Sequence, residues 1–445
     1  MRLASAARYP LFAGFAALGL THGVDAATYT ALDIKFADPA PYDVAQGRPA
    51  SPQFGVSRPS GLNNAGDVVG NGFTGFGVTG GNSRAGYYNA AAATLANLGN
   101  LAGDYGDPAG PNAGGSSAPY GINDAGWVVG YSGNSPMIWS DTDGNQANTA
   151  ASTEMQALAF NPGATIGDTR GVSNTGYVVV TGSGTNSSAS AYLTRLTQSA
   201  GVFTEDISRY RLTSSAIAGG VAINDAGHVA YSLQGGGGSY VYRDLDGEND
   251  LDAGETFEIP RMSGFGSSRA YNINNAGQVL GTMKNANNKD VAFIWTDLDG
   301  DNAFTWSDDG NGLFDAYETS AEVVRFSVDD VGGIDTEEGN TFAFGLNDQG
   351  QAVGGYAFGS VRQAWLYDPT EGISLLDDLI DGYDGSFSLR QATNINNNGQ
   401  IAAYGRRSAT GSNEYAFLLT AVPEPSTAVL LVLPAVLGMA RRRQK

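Results

Sequence analysis

GINDAGWVVG, residues Gly121–Gly130, holds a β-hairpin signal in ten positions. Ile122 enters as an apolar strand residue. Asn123 and Asp124 start a turn, because their short side chains bond to nearby backbone groups, and Gly126 supplies the left-handed conformation that a side chain disfavours. Val128 and Val129 then leave in a β-branched run. The phrase returns as GLNNAGDVVG at Gly61, GVSNTGYVVV at Gly171, AINDAGHVAY at Ala222, NINNAGQVLG at Asn272, GLNDQGQAVG at Gly345 and NINNNGQIAA at Asn394. Turn glycines fall at 66, 126, 176, 227, 277, 350 and 399, so the repeat is about 50 residues with one long step between Gly277 and Gly350.

Outward from each turn the pattern repeats. A second apolar patch follows, such as MIW at Met137, AYL at Ala191, YVY at Tyr240, AFIW at Ala292, AWLY at Ala364 and AFLL at Ala416. Most units add a third, such as MQALAF at Met155 or EVVRF at Glu322. With the strand entering the turn, each unit holds four short strands, the strand count and length of a propeller blade. The last unit runs out of strands near Tyr415, and TYTALDIKF, Thr28–Phe36, stands before the first turn with nothing to pair. The expected fold is therefore all-β: a seven-bladed β-propeller closed by the N-terminal strand. A β-solenoid or two stacked sandwiches is the competing architecture.

Composition agrees with that reading. Among 445 residues there are 63 glycines, 16 prolines and no cysteine, while 42% are hydrophobic and 10% aromatic. Such a chain can fill a core, and its glycine belongs to turns rather than to low-complexity sequence. Disulfides, thiol nucleophiles and thiolate metal sites are excluded. The net charge of −21 leaves no basic face for phosphates, which argues against nucleic acid.

Both ends read as addresses. Arg2 and Arg8, the apolar run Leu11–Leu20 and the small residues at Val24–Ala26 form a secretory signal over residues 1–26, with a run too short for a membrane span. At the other end Val422, Pro423, Glu424, Pro425 and Ser426 precede an apolar stretch, Ala428–Ala440, and then Arg441, Arg442 and Arg443. Residues 422–445 resemble the PEP-CTERM sorting tail of Gram-negative bacteria that make extracellular polysaccharide. The resemblance implies recognition of Pro423, Glu424 and Pro425 by an exosortase-type membrane peptidase and transient membrane contact. It also implies a secreted or cell-surface destination. Between the ends, about residues 28–421 of the repeat domain 27–421 resemble the bacterial extracellular HAF repeats, whose units carry similar GIN-x-x-G-x-V-V-G phrases followed by an A-F-x-W strand. That resemblance implies a fold and a location, with no settled activity.

Acidic loops carry the remaining chemistry. DTDG at Asp141, DLDG at Asp244 and DLDG at Asp297 follow the second strand pair of their units. Alternate oxygen ligands suit a hard cation of six to eight coordination, and extracellular calcium is the expected ion. Laid on the twelve-residue EF-hand template, the second loop offers Asp244, Asp246, Glu248, Asp252 and Glu255. The third offers Asp297, Asp299, Asp301 and Asp308. Asn249 and Asn302 stand where the template wants glycine. An overlapping frame, part of an acidic insertion over about 296–320, uses Ser307, Asp309, Asn311, Gly312, Asp315 and Glu318. Two complete frames cannot coexist there. The Asp141 loop lacks later ligands on this template and is expected to bind weakly or not at all.

Enzyme signatures are scarce. After the signal, His228 is the one remaining histidine, and it occupies a post-turn position filled elsewhere by Asp67, Trp127, Tyr177 and Gln278. A Ser-His-Asp hydrolase or a histidine zinc site is not expected. Gly235–Gly238 opens no helix and reads as a hairpin tip rather than a phosphate cradle. A glycosidase or lyase with paired carboxylates stays open, with Asp329, Asp330, Asp335, Glu337, Asp377, Asp378 and Asp381 as candidates. The favoured expectation is a non-catalytic surface or matrix propeller that binds extracellular polysaccharide or a surface protein. Trp139, Trp295, Trp306, Tyr317 and Trp365 are its candidate sugar-stacking rings, though most alternate as core strand residues.

Overall fold

A computed structural model describes residues 27–34, 56–73, 83–99, 101, 116–133, 135–145, 154–158, 166–183, 189–206, 210–213, 217–233, 238–248, 251–252, 254–259, 267–285, 287–300, 322–326, 339–407 and 414–422. Its strands form seven antiparallel sheets in a ring, a seven-bladed β-propeller. The signal segment, the sorting segment and most of the acidic insertion lie outside the described residues.

The hairpin phrase builds the first two strands of every blade. In the second blade β6 (Ser117–Ile122) pairs with β7 (Val128–Ser132), then β8 (Ser135–Trp139) and β9 (Met155–Ala157) follow outward. At the turn, Gly126 N–H donates to the Asn123 carbonyl at 3.0 Å and Trp127 N–H to Asn123 Oδ1 at 2.9 Å. All seven turn glycines adopt positive φ, between 72° and 89°. This is a type I turn completed by a left-handed residue, the three-residue hairpin that the sequence spells.

Ring closure follows the expected route. β1 (Tyr29–Ile34) pairs antiparallel with β29 (Tyr415–Ala421) along its whole length, from Tyr29 opposite Ala421 to Ile34 opposite Ala416. It thus supplies the outermost strand of the blade formed by β27 (Ser388–Ile395), β28 (Ile401–Arg406) and β29. Asp33 also pairs with Arg407. The first and last described strands thus hold each other, and β1 covers β29, which would otherwise be the outer edge of that blade.

Between neighbouring blades lie seven separate apolar clusters, one per interface. Val69, Ala85, Tyr87 and Leu98 meet Ile122, Val128, Met137, Trp139 and Met155 across the first interface. Ile34 joins Ala402, Ala416 and Leu418 against Val68 and Tyr88 where the ring closes. Alternate strand residues face opposite sides, so each sheet contributes to two cores. Trp139, Trp295 and Trp365 are fully buried here. They are core residues and not exposed sugar platforms, because their strand positions face the neighbouring sheet. Trp306 and Tyr317 lie outside the described residues.

The third blade departs from the four-strand plan. Its β12 (Ala189–Ser199) is eleven residues long and serves two partners, β13 (Val202–Glu205) and β14 (Tyr210–Thr213). The β12–β13 hairpin reaches over the second blade. Gln156 Nε2 donates to the Gly201 carbonyl at 2.5 Å, Gln198 Nε2 donates to Ser140 Oγ at 2.5 Å, and Phe203 sits edge-on to Trp127 with centroids 4.9 Å apart.

Candidate functional site

Two places concentrate polar chemistry: the axis of the ring and three loops on its rim. At the axis, the turns of neighbouring blades are stitched by side chains. Asn63 Nδ2 donates to the Asn123 carbonyl at 3.2 Å, and Asn123 Nδ2 to the Ser173 carbonyl at 3.0 Å. Asn224, Asn274, Asn347 and Asn396 continue in the same way, Asn396 reaching back to the Asn63 carbonyl. Ser173 is the one position without an amide to donate; two residues on, Thr175 Oγ1 donates to the Asp225 carbonyl at 2.6 Å instead.

A second ring is complete. The backbone N–H of Asn64 donates to Asp124 Oδ1, Asp124 to Asn174, Asn174 to Asp225, Asp225 to Asn275, Asn275 to Asp348, Asp348 to Asn397 and Asn397 to Asn64, all within 2.7–2.9 Å. Amide and carboxylate alternate around it except where Asn397 meets Asn64, and the side-chain amides of Asn64, Asn174, Asn275 and Asn397 also donate to acid Oδ2 atoms. Three acids never stand next to one another, which avoids like-charge contact. Replacing Asn347 with Ala removes the buried donor to the Asn396 carbonyl and the part-buried acceptor for Gln351 N–H. We expect a loss of about 2 kcal/mol in urea unfolding; a change below about 0.5 kcal/mol would show that the ring contributes no stability.

Inside these rings lies a cavity of ≈ 440 Å³ lined by all seven innermost strands. That volume falls within the range of small-molecule sites. The residue just before each hairpin phrase faces this region: Ser60, Tyr120, Arg170, Val221, Tyr271, Phe344 and Thr393. Arg170 lies 4.6 Å over the Tyr120 ring, and Tyr271 meets Phe344 edge-on at 5.4 Å. Asn394 Oδ1 is buried with no hydrogen-bond partner. Sequence reading did not single out this belt, since the seven residues share a position but not a residue type.

On the rim, each Asp-x-Asp-Gly loop meets a buried glutamate. Asp141, Asp143 and Glu154 form one set, Asp244, Asp246 and Glu255 a second, Asp297, Asp299 and Glu322 a third. Within each set one oxygen per residue lies within 4.8 Å of the others, and each set can hold a metal ion. Glu154, Glu255 and Glu322 lead the fourth strand of their blades and are 2–3% exposed. The strand ladder fixes the glutamate, and the loop folds back over it.

The EF-hand frame is thus only partly reproduced. Positions 1, 3 and 12 of the second loop converge, but Glu248 and Asp252 stand outside the set, because the loop returns into a strand and not a helix. In the third loop Asp297 and Asp299 converge with Glu322, which the template did not include. Asp301, Asp308, Asp309, Asn311, Asp315 and Glu318 lie outside the described residues, as do Pro423, Glu424 and Pro425.

The carboxylate-pair candidates scatter. Asp329, Asp330, Asp335 and Glu337 lie outside the described residues. Asp377 and Asp378 sit on a four-residue 3-10 helix, Leu376–Leu379. Asp377 Oδ1 accepts from Leu389 N–H at 2.9 Å and Oδ2 from Ser388 Oγ at 3.3 Å. Burial pushes its carboxyl above the ordinary range against those bonds, with a smaller push from Asp378. A raised folded-state pKa gives stability that is complete below the unfolded value of about 3.9 and is lost as pH rises through the folded value. Asp377→Asn should therefore flatten that part of the stability–pH curve and leave the chain at least as stable at pH 7. An unchanged curve would show that Asp377 makes no such contribution. Burial first and then Arg243 push the half-buried His228 imidazole below its ordinary value, with Asp244 opposing.

No family model matches the chain, and no curated protein matches its sequence. Solved structures similar to it include YCF48 bound to D1 peptide, at 8% identity, covering 91% of this chain and 98% of that one, with a TM-score of 0.40. A streptogramin B lyase is similar at 9% identity, 89% and 98% coverage and a TM-score of 0.44. A puromycin-hydrolyzing peptidase of Mycobacterium tuberculosis follows at 12% identity, 84% and 52% coverage and a TM-score of 0.41. These neighbours are propellers that include both enzymes and binding proteins. The seven-bladed ring itself rests on this chain's own strand pairings.

Proposed function

We propose that the protein is an exported surface or matrix propeller that binds an acidic extracellular polysaccharide in its axial cavity and holds calcium in its rim loops. The cavity carries this reading: it sets one guanidinium, Arg170, among Tyr120, Tyr271 and Phe344. Aromatic rings stack on sugar faces through apolar contact, and a guanidinium pairs with a carboxylate in two parallel hydrogen bonds. Its three carboxylates, Asp124, Asp225 and Asp348, are engaged by neighbouring turns, which favours binding over acid–base catalysis. The rim loops offer oxygen donors alone, the set a hard cation takes, and calcium accepts such all-protein cages more readily than magnesium. The sorting-tail resemblance at Pro423–Pro425 adds the route: export, recognition by an exosortase-type peptidase and release at the cell surface.

An array of uronate-containing and neutral oligosaccharides tests the binding role, read with the intact chain and with Arg170→Ala and Tyr271→Ala. Retention of uronates that falls at least about tenfold in both variants is expected, since each removes a pairing or stacking contact of about 1.4 kcal/mol or more. Retention indifferent to both substitutions would remove the cavity from the account. Release of reducing ends would replace binding with catalysis.

A further inference from the structure

We infer that the Asp141–Asp143–Glu154 loop is a divalent-cation site, and that it is the strongest of the three rim sites. The inference rests on the reading that these loops take a hard cation, and it inverts the order the EF-hand template suggests. Glu154 is 2% exposed, yet its Oε2 atom has no hydrogen-bond partner. The other oxygen, Oε1, is held three times, by Thr142 N–H at 2.8 Å, Thr142 Oγ1 at 3.1 Å and Asp143 N–H at 3.3 Å. The carboxylate is therefore fixed in place through one oxygen, within the set it forms with Asp141 and Asp143, while the other has no hydrogen bond to satisfy it. A buried carboxylate oxygen without a donor is costly, and a cation is the partner that two adjacent aspartates also invite.

The first aspartate caps its own turn in all three loops, and Asp143 also holds Asn145, so the loops differ in the closing glutamate and in Arg243. Glu255 accepts Leu245 N–H at 2.9 Å on one oxygen and Asp252 N–H at 2.8 Å on the other. Asp297 Oδ2 is paired with Arg243 Nη1 at 2.9 Å, with the aspartate side chain 2% exposed. A cation there must compete with a guanidinium. The β12–β13 hairpin braces the Asp141 loop through Gln198 on Ser140. The missing EF-hand ligands at Ala147, Thr149 and Ser152 are then beside the point, because the closing ligand is the strand-leading glutamate, as in the other two sets.

Calcium titration of the full chain by calorimetry, with terbium luminescence excited through Trp139 next to the loop, tests this directly. Glu154→Gln and Asp143→Asn should each weaken the tightest binding step at least tenfold and quench the terbium signal. Glu255→Gln and Glu322→Gln should leave that step unchanged. Asp143 is exposed, so its variant reports on binding even where the buried Glu154 variant fails to fold. A tightest step that survives Asp143→Asn, or that disappears in Glu255→Gln or Glu322→Gln, would overturn the ranking while keeping the cation reading. A parent chain that takes up neither ion would overturn both.

Discussion

Deletion of residues 27–34 is expected to lower the melting temperature by about 10 °C or more, or to leave the chain insoluble. β1 contributes six registered positions against β29, and both its ends are buried. Tyr29 packs with Leu376, Leu379 and Phe417 in one interblade core, whereas Ile34 packs with Val68 and Leu418 in the next. Each side chain buries roughly 2–3 kcal/mol of apolar surface. Removing the strand also opens β29 as an edge, a template for pairing between chains. Ile34→Ala gives the graded version, a loss of about 2–5 kcal/mol. A truncated chain that melts like the parent would mean that the ring does not depend on this closure.

Gly354→Ala should be nearly as damaging for its size, at more than about 3 kcal/mol in denaturant unfolding. Gly354 lies on β24 (Ala352–Phe358), opposite Ala343 on β23 (Asn340–Leu346), where β23 bulges before Gly345. A Cβ there would overlap the Phe342 carbonyl oxygen and the Trp365 ring. Since the first clash is with backbone, no rotamer change relieves it. Gly126→Ala is the contrast: its φ is +77° but no heavy atom lies within 4 Å, so only the left-handed backbone cost of about 1–2 kcal/mol remains. Equal costs at the two positions would show that close packing of the bulge is not what demands glycine in the second strands.

Why the fold was legible and the site less so follows from sequence distance. A hairpin turn closes within five residues, so Asn123, Asp124 and Gly126 announce it locally, and seven copies fix the blade count. The last unit, one strand short, and the orphan Thr28–Phe36 run likewise pointed to closure. The turn-to-turn bonds between blades join residues 49 to 73 apart, or 333 apart for Asn396 and Asn63. The Asn/Asp alternation at positions 64, 124, 174, 225, 275, 348 and 397 was visible, but read as turn formers its role as a ring between blades was hidden. At the rim, the two aspartates of each loop were evident, while the third ligand lies 11, 13 or 25 residues beyond the first. A fixed twelve-residue template finds Glu255 and misses Glu154 and Glu322. The signal that finds all three is an acid opening the fourth strand, as in EMQA, ETFE and EVVRF. The tryptophans show the converse error: ring type suggested sugar contact, but strand position put Trp139, Trp295 and Trp365 in the cores.

The most direct test of a closed ring with cation-held loops is calorimetric melting of the intact chain in 10 mM calcium and in chelator. Three sites of extracellular-type affinity, with dissociation constants of about 0.1–1 mM, add on the order of 4–8 kcal/mol at that concentration. A domain of this size converts that into an upward shift of about 5–10 °C. One cooperative transition that moves up by this amount with calcium is expected. A transition at the same temperature in both solutions would contradict it.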